Sequence, residues 1–133
     1  MIEQYLKKGI ADAQNLEALA EQLENLLNSG CHVWFKPDGS RLLLYGRVLV
    51  DRIDGLKIHI YAKEHSPPHF HLTSANLDCV FTLDDCSLIS GTVDRKTRDL
   101  IEFYYSKAKG KLIDVWNQTR PTNCPVGPAN VKI

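Results

Sequence analysis

The apolar spacing changes twice along this chain, from three-and-four to alternate residues after Gly30 and back again at Asp94, and this double change confines the fold to few classes. Before the first change, Leu16, Leu19, Ala20, Leu23, Leu26 and Leu27 recur at helical spacing. Asp12 or Asn15 is placed to cap that helix and Gly30 to end it. Between the changes, Cys31–Phe35 and Arg41–Val50 are rich in strand formers around Pro37-Asp38-Gly39-Ser40, which predicts a hairpin. Asp54-Gly55 marks a tight turn before the strict alternation of Leu56–Tyr61. Further strands are expected from near His69 and over Leu77–Thr82. After Asp94, the spacing of Leu100, Ile101, Tyr104 and Tyr105 predicts a helix near 95–108, which Gly110 should break. A shorter helix over Lys111–Gln118 would then bury Leu112, Val115 and Trp116.

A run of strands followed by helices predicts an α+β fold: an antiparallel sheet of four or five strands, one N-terminal helix and two C-terminal helices. The chain divides into an N-terminal amphipathic helical segment (1–30), an α+β domain (31–120) and an extended tail (121–133) carrying Pro121, Pro125 and Pro128. Trp34 and Trp116 read as core anchors, and of Tyr104 and Tyr105 one should be buried and one exposed. The leucines at 16, 19, 23 and 26 span about two heptads, short of a coiled coil. They suit packing on the chain's own sheet or a homodimer seam.

Charge excludes little globally, because 16 basic residues balance 16 acidic ones. Its distribution is uneven: residues 1–30 hold five acids against Lys7 and Lys8, and 94–111 hold six bases against Asp94, Asp99 and Glu102. The basic segment is either a solvated helix face or a phosphate-binding one, with Arg95, Lys96 and Arg98 the candidate nucleic-acid contacts, followed by Lys107, Lys109 and Lys111. No apolar run approaches the roughly 18 residues needed to cross a bilayer. Four scattered cysteines without metal spacing, and a start that lacks the order of a secretion signal, point to a reduced, cytoplasmic protein.

The chemistry concentrates in Glu64-His65-Ser66-Pro67-Pro68-His69-Phe70-His71, which holds three of the five histidines. Each proline fixes its own φ and extends the residue before it, so Ser66-Pro67-Pro68 should be a stiff connector. If the flanking strands pair, alternation sends Ile58, Ile60, Phe70 and Leu72 to the core. Lys57, His59, Tyr61, His69 and His71 then share the other face, with Glu64 and His65 at its end. Three readings stay open. His65, His69 and His71 could ligate a divalent metal such as zinc that activates water. Two of the histidines could act as general base and general acid in phosphoryl transfer, with Lys57 stabilising the developing charge. Alternatively, His65 caps the turn, and His69 and His71 contact a protein partner without catalysis.

These residues resemble the signature of a family of small, largely uncharacterised bacterial proteins: a short apolar strand, an acidic or basic residue before His, one variable residue, then Pro-Pro-His-Phe-His. The resemblance continues more weakly through Leu88–Gly91, Arg95, Leu100, Ile101 and Asp114-Val115-Trp116-Asn117. It covers about residues 42–120 and leaves the N-terminal helical segment as an addition. Members are often encoded beside a second small protein, and the pair is suspected of forming a toxin–antitoxin module. The resemblance thus implies a toxin-like role with a cognate, antitoxin-like protein partner. A nuclease acting on RNA or DNA through Tyr61, Lys57, Glu64, His65, His69 and His71 is the leading expectation. A metal-binding or protein-binding module is the alternative.

Overall fold

The computed structural model describes residues 2–46, 52–60 and 67–119. Their order is α1 (Ile2–Asp12), α2 (Leu16–Leu27), β1 (Cys31–Phe35), β2 (Arg41–Tyr45), β3 (Lys57–His59), β4 (His69–Ser74), β5 (Leu77–Thr82), β6 (Leu88–Gly91) and α3 (Arg95–Thr119). The class is α+β, with helices at both ends and antiparallel strands between.

Two helices, not one, precede the strands. Asn15 caps α2, its side chain accepting from Ala18 N at 2.8 Å. The preceding α1 buries only Leu6 and Ile10, a stripe too short for periodicity to reveal. Its last turn is held from far along the chain, where Lys111 Nζ donates to Ala11 O (2.9 Å) and Ala13 O (2.8 Å). A cation there suits the negative end of the helix dipole. Leu19, Leu23 and Leu26 of α2 are buried in the chain's own core together with α1, β3 and α3. Those leucines are therefore unavailable as a homodimer seam.

The strands form two sheets. Among the described residues β1 and β2 pair only with each other, from Cys31 opposite Tyr45 to Phe35 opposite Arg41. Their turn is closed by Lys36 N donating to Ser40 O at 2.8 Å and by Asp38 Oδ1 accepting from Ser40 N and Oγ. β3–β4–β5–β6 is a separate antiparallel meander. Alternation identifies strands without saying which of them pair, and the expected single sheet is replaced by two among the described residues. Trp34, expected in the core, is 46% exposed. The two-stranded ribbon is covered on the side of Cys31 and Val33, and Trp34 lies on the other.

Gly110 does not break the last helix; α3 runs unbroken for 25 residues. Glycine costs a helix interior about 1 kcal/mol. Burial of Tyr105, Ala108, Leu112, Ile113 and Trp116 on either side outweighs that. Tyr104 and Tyr105 are both buried, because Tyr104 faces α2 and Tyr105 faces the meander, where its ring stacks on Phe70. Tyr104 Oη donates to Leu19 O at 2.8 Å and Tyr105 Oη to Leu83 O at 2.6 Å. The core face of the meander carries Ile58, Phe70, Leu72, Cys79 and Phe81, as the alternation predicts. Cys31, Cys79 and Cys86 are buried free thiols, and burial pushes Cys79 up to about 11 and Cys86 to about 12. No helix among the described residues is long and apolar enough to cross a membrane.

Candidate functional site

The register of β3 against β4 sets Lys57 opposite Thr73 and His59 opposite His71. Facing residues of an antiparallel pair lie on one side of the sheet, so Lys57, His59, His69, His71 and Thr73 share a face. His69 and His71, two apart on β4, bring their ring centroids to 5.1 Å. That is closer than the roughly 6.5–7 Å expected from strand rise alone, and the ring planes are inclined at 60° to each other.

His69 is the most constrained member. Its Nδ1 lies 2.7 Å from Pro67 O. A carbonyl oxygen only accepts, so Nδ1 carries the proton, and in the neutral ring Nε2 is left with its lone pair. The proline preceding the strand thus positions both the backbone of His69 and its tautomer. The ring is 9% exposed and packs 5.8 Å from Trp116. At about 1.5 Å per residue α3 is near 37 Å long, roughly twice the length of β4, and its C-terminal turns reach the start of that strand.

Beside this pair, His59 Nε2 lies 3.2 Å from Thr73 Oγ1, within hydrogen-bonding distance. Lys57 is exposed at the same edge. Tyr61, Glu64 and His65, the other predicted members, lie outside the described residues. Among the described residues, no three His, Cys, Asp or Glu side chains converge as a metal-binding group. The zinc set named from sequence includes His65, so it too extends outside them. The donors that fit such an ion here are imidazole nitrogens, His69 Nε2 first among them.

The six bases at the start and middle of α3 are largely engaged by the protein. Arg95 pairs with Asp99 (3.2 Å) and Arg98 with Glu102 (3.5 Å). Lys107 pairs with Glu3 (3.4 Å) and lies over the Phe103 ring. Lys109 donates to Asp84 O at 3.0 Å, and Lys111 holds the end of α1. Lys96 Nζ is buried without a hydrogen-bond partner. Lys107, Lys109 and Lys111 thus bind α3 to its neighbours, whereas Arg95 and Arg98 pair within the helix.

Thr73 carries no signal in the sequence, and Trp116 reads there as a core anchor, which its burial bears out, but not as a neighbour of His69. His59 was placed on the correct face by alternation, and only the cross-strand register sets it opposite His71. Trp116 follows His69 by 47 positions, and no local pattern links them. Residues 55–117, just under half of the chain, match the model of a family described as a domain of unknown function (DUF4160). The match begins at the turn before β3 and ends within α3, leaving α1, α2 and the β1–β2 ribbon outside. No curated protein and no solved structure matches the chain.

Proposed function

We propose, taking residues 55–117 as a domain of this family, that its histidine face is an acid–base centre that cleaves RNA, and that the chain is the toxin-like member of a two-protein module. One observation carries the chemistry. The Pro67 carbonyl holds His69 Nδ1–H at 2.7 Å, which presents Nε2 as a fixed proton acceptor 5.1 Å, ring to ring, from a second imidazole. Two imidazoles so placed reach different oxygens of one phosphate. His69 Nε2 removes the proton from a ribose 2′-hydroxyl, the oxygen attacks the adjacent phosphorus, and protonated His71 donates to the departing 5′-oxygen. Lys57 offsets the charge that builds on the phosphoryl oxygens. His59, beside Thr73, supports the same face. The family resemblance supports the biological setting, in which the cognate small protein inhibits by covering this face.

The same bond favours a second reading. A histidine that donates one ring N–H to a backbone carbonyl is oriented as metal-ligating histidines are, with the other nitrogen as the ligand atom. One assay separates the two. The purified chain is incubated with end-labelled RNA in EDTA, and His71→Ala, a half-buried position, is assayed in parallel with its circular dichroism. Cleavage in EDTA that falls about 10²–10⁴-fold in the variant is the expected result. Cleavage that returns only on adding zinc transfers the face to metal chemistry. No cleavage under either condition sinks both catalytic readings and leaves partner binding.

A further inference from the structure

We infer that the cavity between α2 and the open edge of β3 is a nucleobase subsite beside the histidine face, preferring bases that carry an exocyclic amino group. The inference deepens the proposed RNA cleavage and rests on it. The cavity holds about 480 Å³, with Leu16 and Ala20 of α2 on one side and Leu56 and Ile58 on the other.

The direction of the backbone at Ile58 carries the argument. Among the described strands β3 forms one edge of the meander. Leu83 N donates to Pro68 O at 2.8 Å, which fixes the phase of β4: Pro68, Phe70 and Leu72 turn their peptide groups toward β5. His71 and Thr73 therefore turn theirs toward β3, where they meet His59 and Lys57. Ile58, between these two, points its N–H and C=O away from the sheet and toward the cavity. Leu56 agrees independently, since its N–H donates outward to Glu24 Oε1 of α2 at 2.9 Å. Among the described residues the two Ile58 groups have no hydrogen-bond partner.

One donor and one acceptor side by side between apolar walls match the edge and faces of a single flat heterocycle. A peptide strand adding to this edge would need several successive backbone pairs, and α2 already occupies the position of Leu56. Lys57 and His59 also line the cavity, so a base held there has its phosphate directed to the face where His59 stands opposite His71. An exocyclic amino group carries two N–H, one for Ile58 O and one for Glu17 at the rim, whereas the single N3–H of uracil serves only one acceptor, which favours adenine, cytosine and guanine. β3 lies within the matched family segment and α2 outside it, so the preference belongs to this chain's N-terminal helices.

The test is calorimetric titration of the full chain with adenosine, cytidine, guanosine and uridine monophosphates, read independently of cleavage. The three amino-bearing nucleotides should bind about tenfold more tightly than uridine monophosphate, the worth of one hydrogen bond to a carboxylate. Glu17→Gln, an exposed change that leaves the core intact, should abolish that preference. Leu16→Trp, checked for helical circular dichroism, should fill the cavity and weaken all binding. Equal binding of all four, no binding, or binding that both variants leave unchanged overturns the subsite, and so does capture of an extended peptide in place of nucleotides. Base-selective binding without RNA cleavage would instead leave the subsite standing and remove the catalytic reading alone.

Discussion

Replacing Gly110 with alanine should stabilise the protein. Gly110 lies within the unbroken α3, is exposed, and a Cβ added to it meets nothing within 4 Å. Alanine is better than glycine in a helix interior by about 0.8–1.0 kcal/mol, partly because it restricts the unfolded chain. No packing cost offsets that here, so the full amount should appear. For a chain of this size it corresponds to a rise in Tm of about 4 °C. In urea, with a slope near 2 kcal/mol/M, the midpoint should rise by about 0.5 M at unchanged slope. The assay is urea unfolding followed by helical circular dichroism, with Gly91→Ala as its counterpart. Gly91 has φ +89°, and a Cβ there would run into Asp78 O and lie 2.9 Å from Cys79 Cα, both on the adjacent strand. The same substitution should therefore be destabilising at Gly91, by more than Gly110→Ala gains. A neutral or destabilising Gly110→Ala would mean that the helix is interrupted there, and the account of α3 as one continuous element would fail.

Two further perturbations probe the core. Tyr105→Phe removes the 2.6 Å bond to Leu83 O and leaves a buried carbonyl short of a donor, so it should cost about 1–2 kcal/mol in the same urea experiment; a loss under 0.3 kcal/mol would show that water replaces the hydroxyl. Burial raises the Cys86 and Cys79 thiols to about 12 and about 11 and also raises Tyr104 and Tyr105. The folded state therefore holds protons that the unfolded chain gives up from about pH 9, and stability should be intact below that pH and fall as pH rises toward 12. Alkylation at pH 8 should accordingly label Cys31, Cys79 and Cys86 only after denaturation; rapid labelling of the native protein at Cys79 or Cys86 would contradict their burial.

The candidate site was legible in part. The alternation of Ile58, Phe70 and Leu72 places His59, His69 and His71 on the opposite face, since side chains of a strand must alternate whatever surrounds it. Density of histidine around paired prolines marks the same place. The tautomer of His69 was not legible, because it depends on where the Pro67 carbonyl points. Nor was the use of the basic residues of α3. Lys107 and Lys111 read as a charged surface in one dimension, and find Glu3 and the end of α1 only when α3 packs against α1.

The sequence by itself determined the elements whose signals are local: a cap at Asp12 or Asn15, the Pro-Asp-Gly-Ser turn, the strand alternation and the amphipathic stripe of α2. These depend on backbone preference and side-chain period over a few residues. Tertiary structure decided what such signals cannot carry. Packing on both sides kept α3 whole through Gly110 and buried both tyrosines, because many apolar contacts outweigh one glycine. Pairing partners, and not strand propensity, separated β1–β2 from the meander and set His59 opposite His71. The length of α3 brought Trp116 against His69, a contact fixed by the geometry of the whole fold.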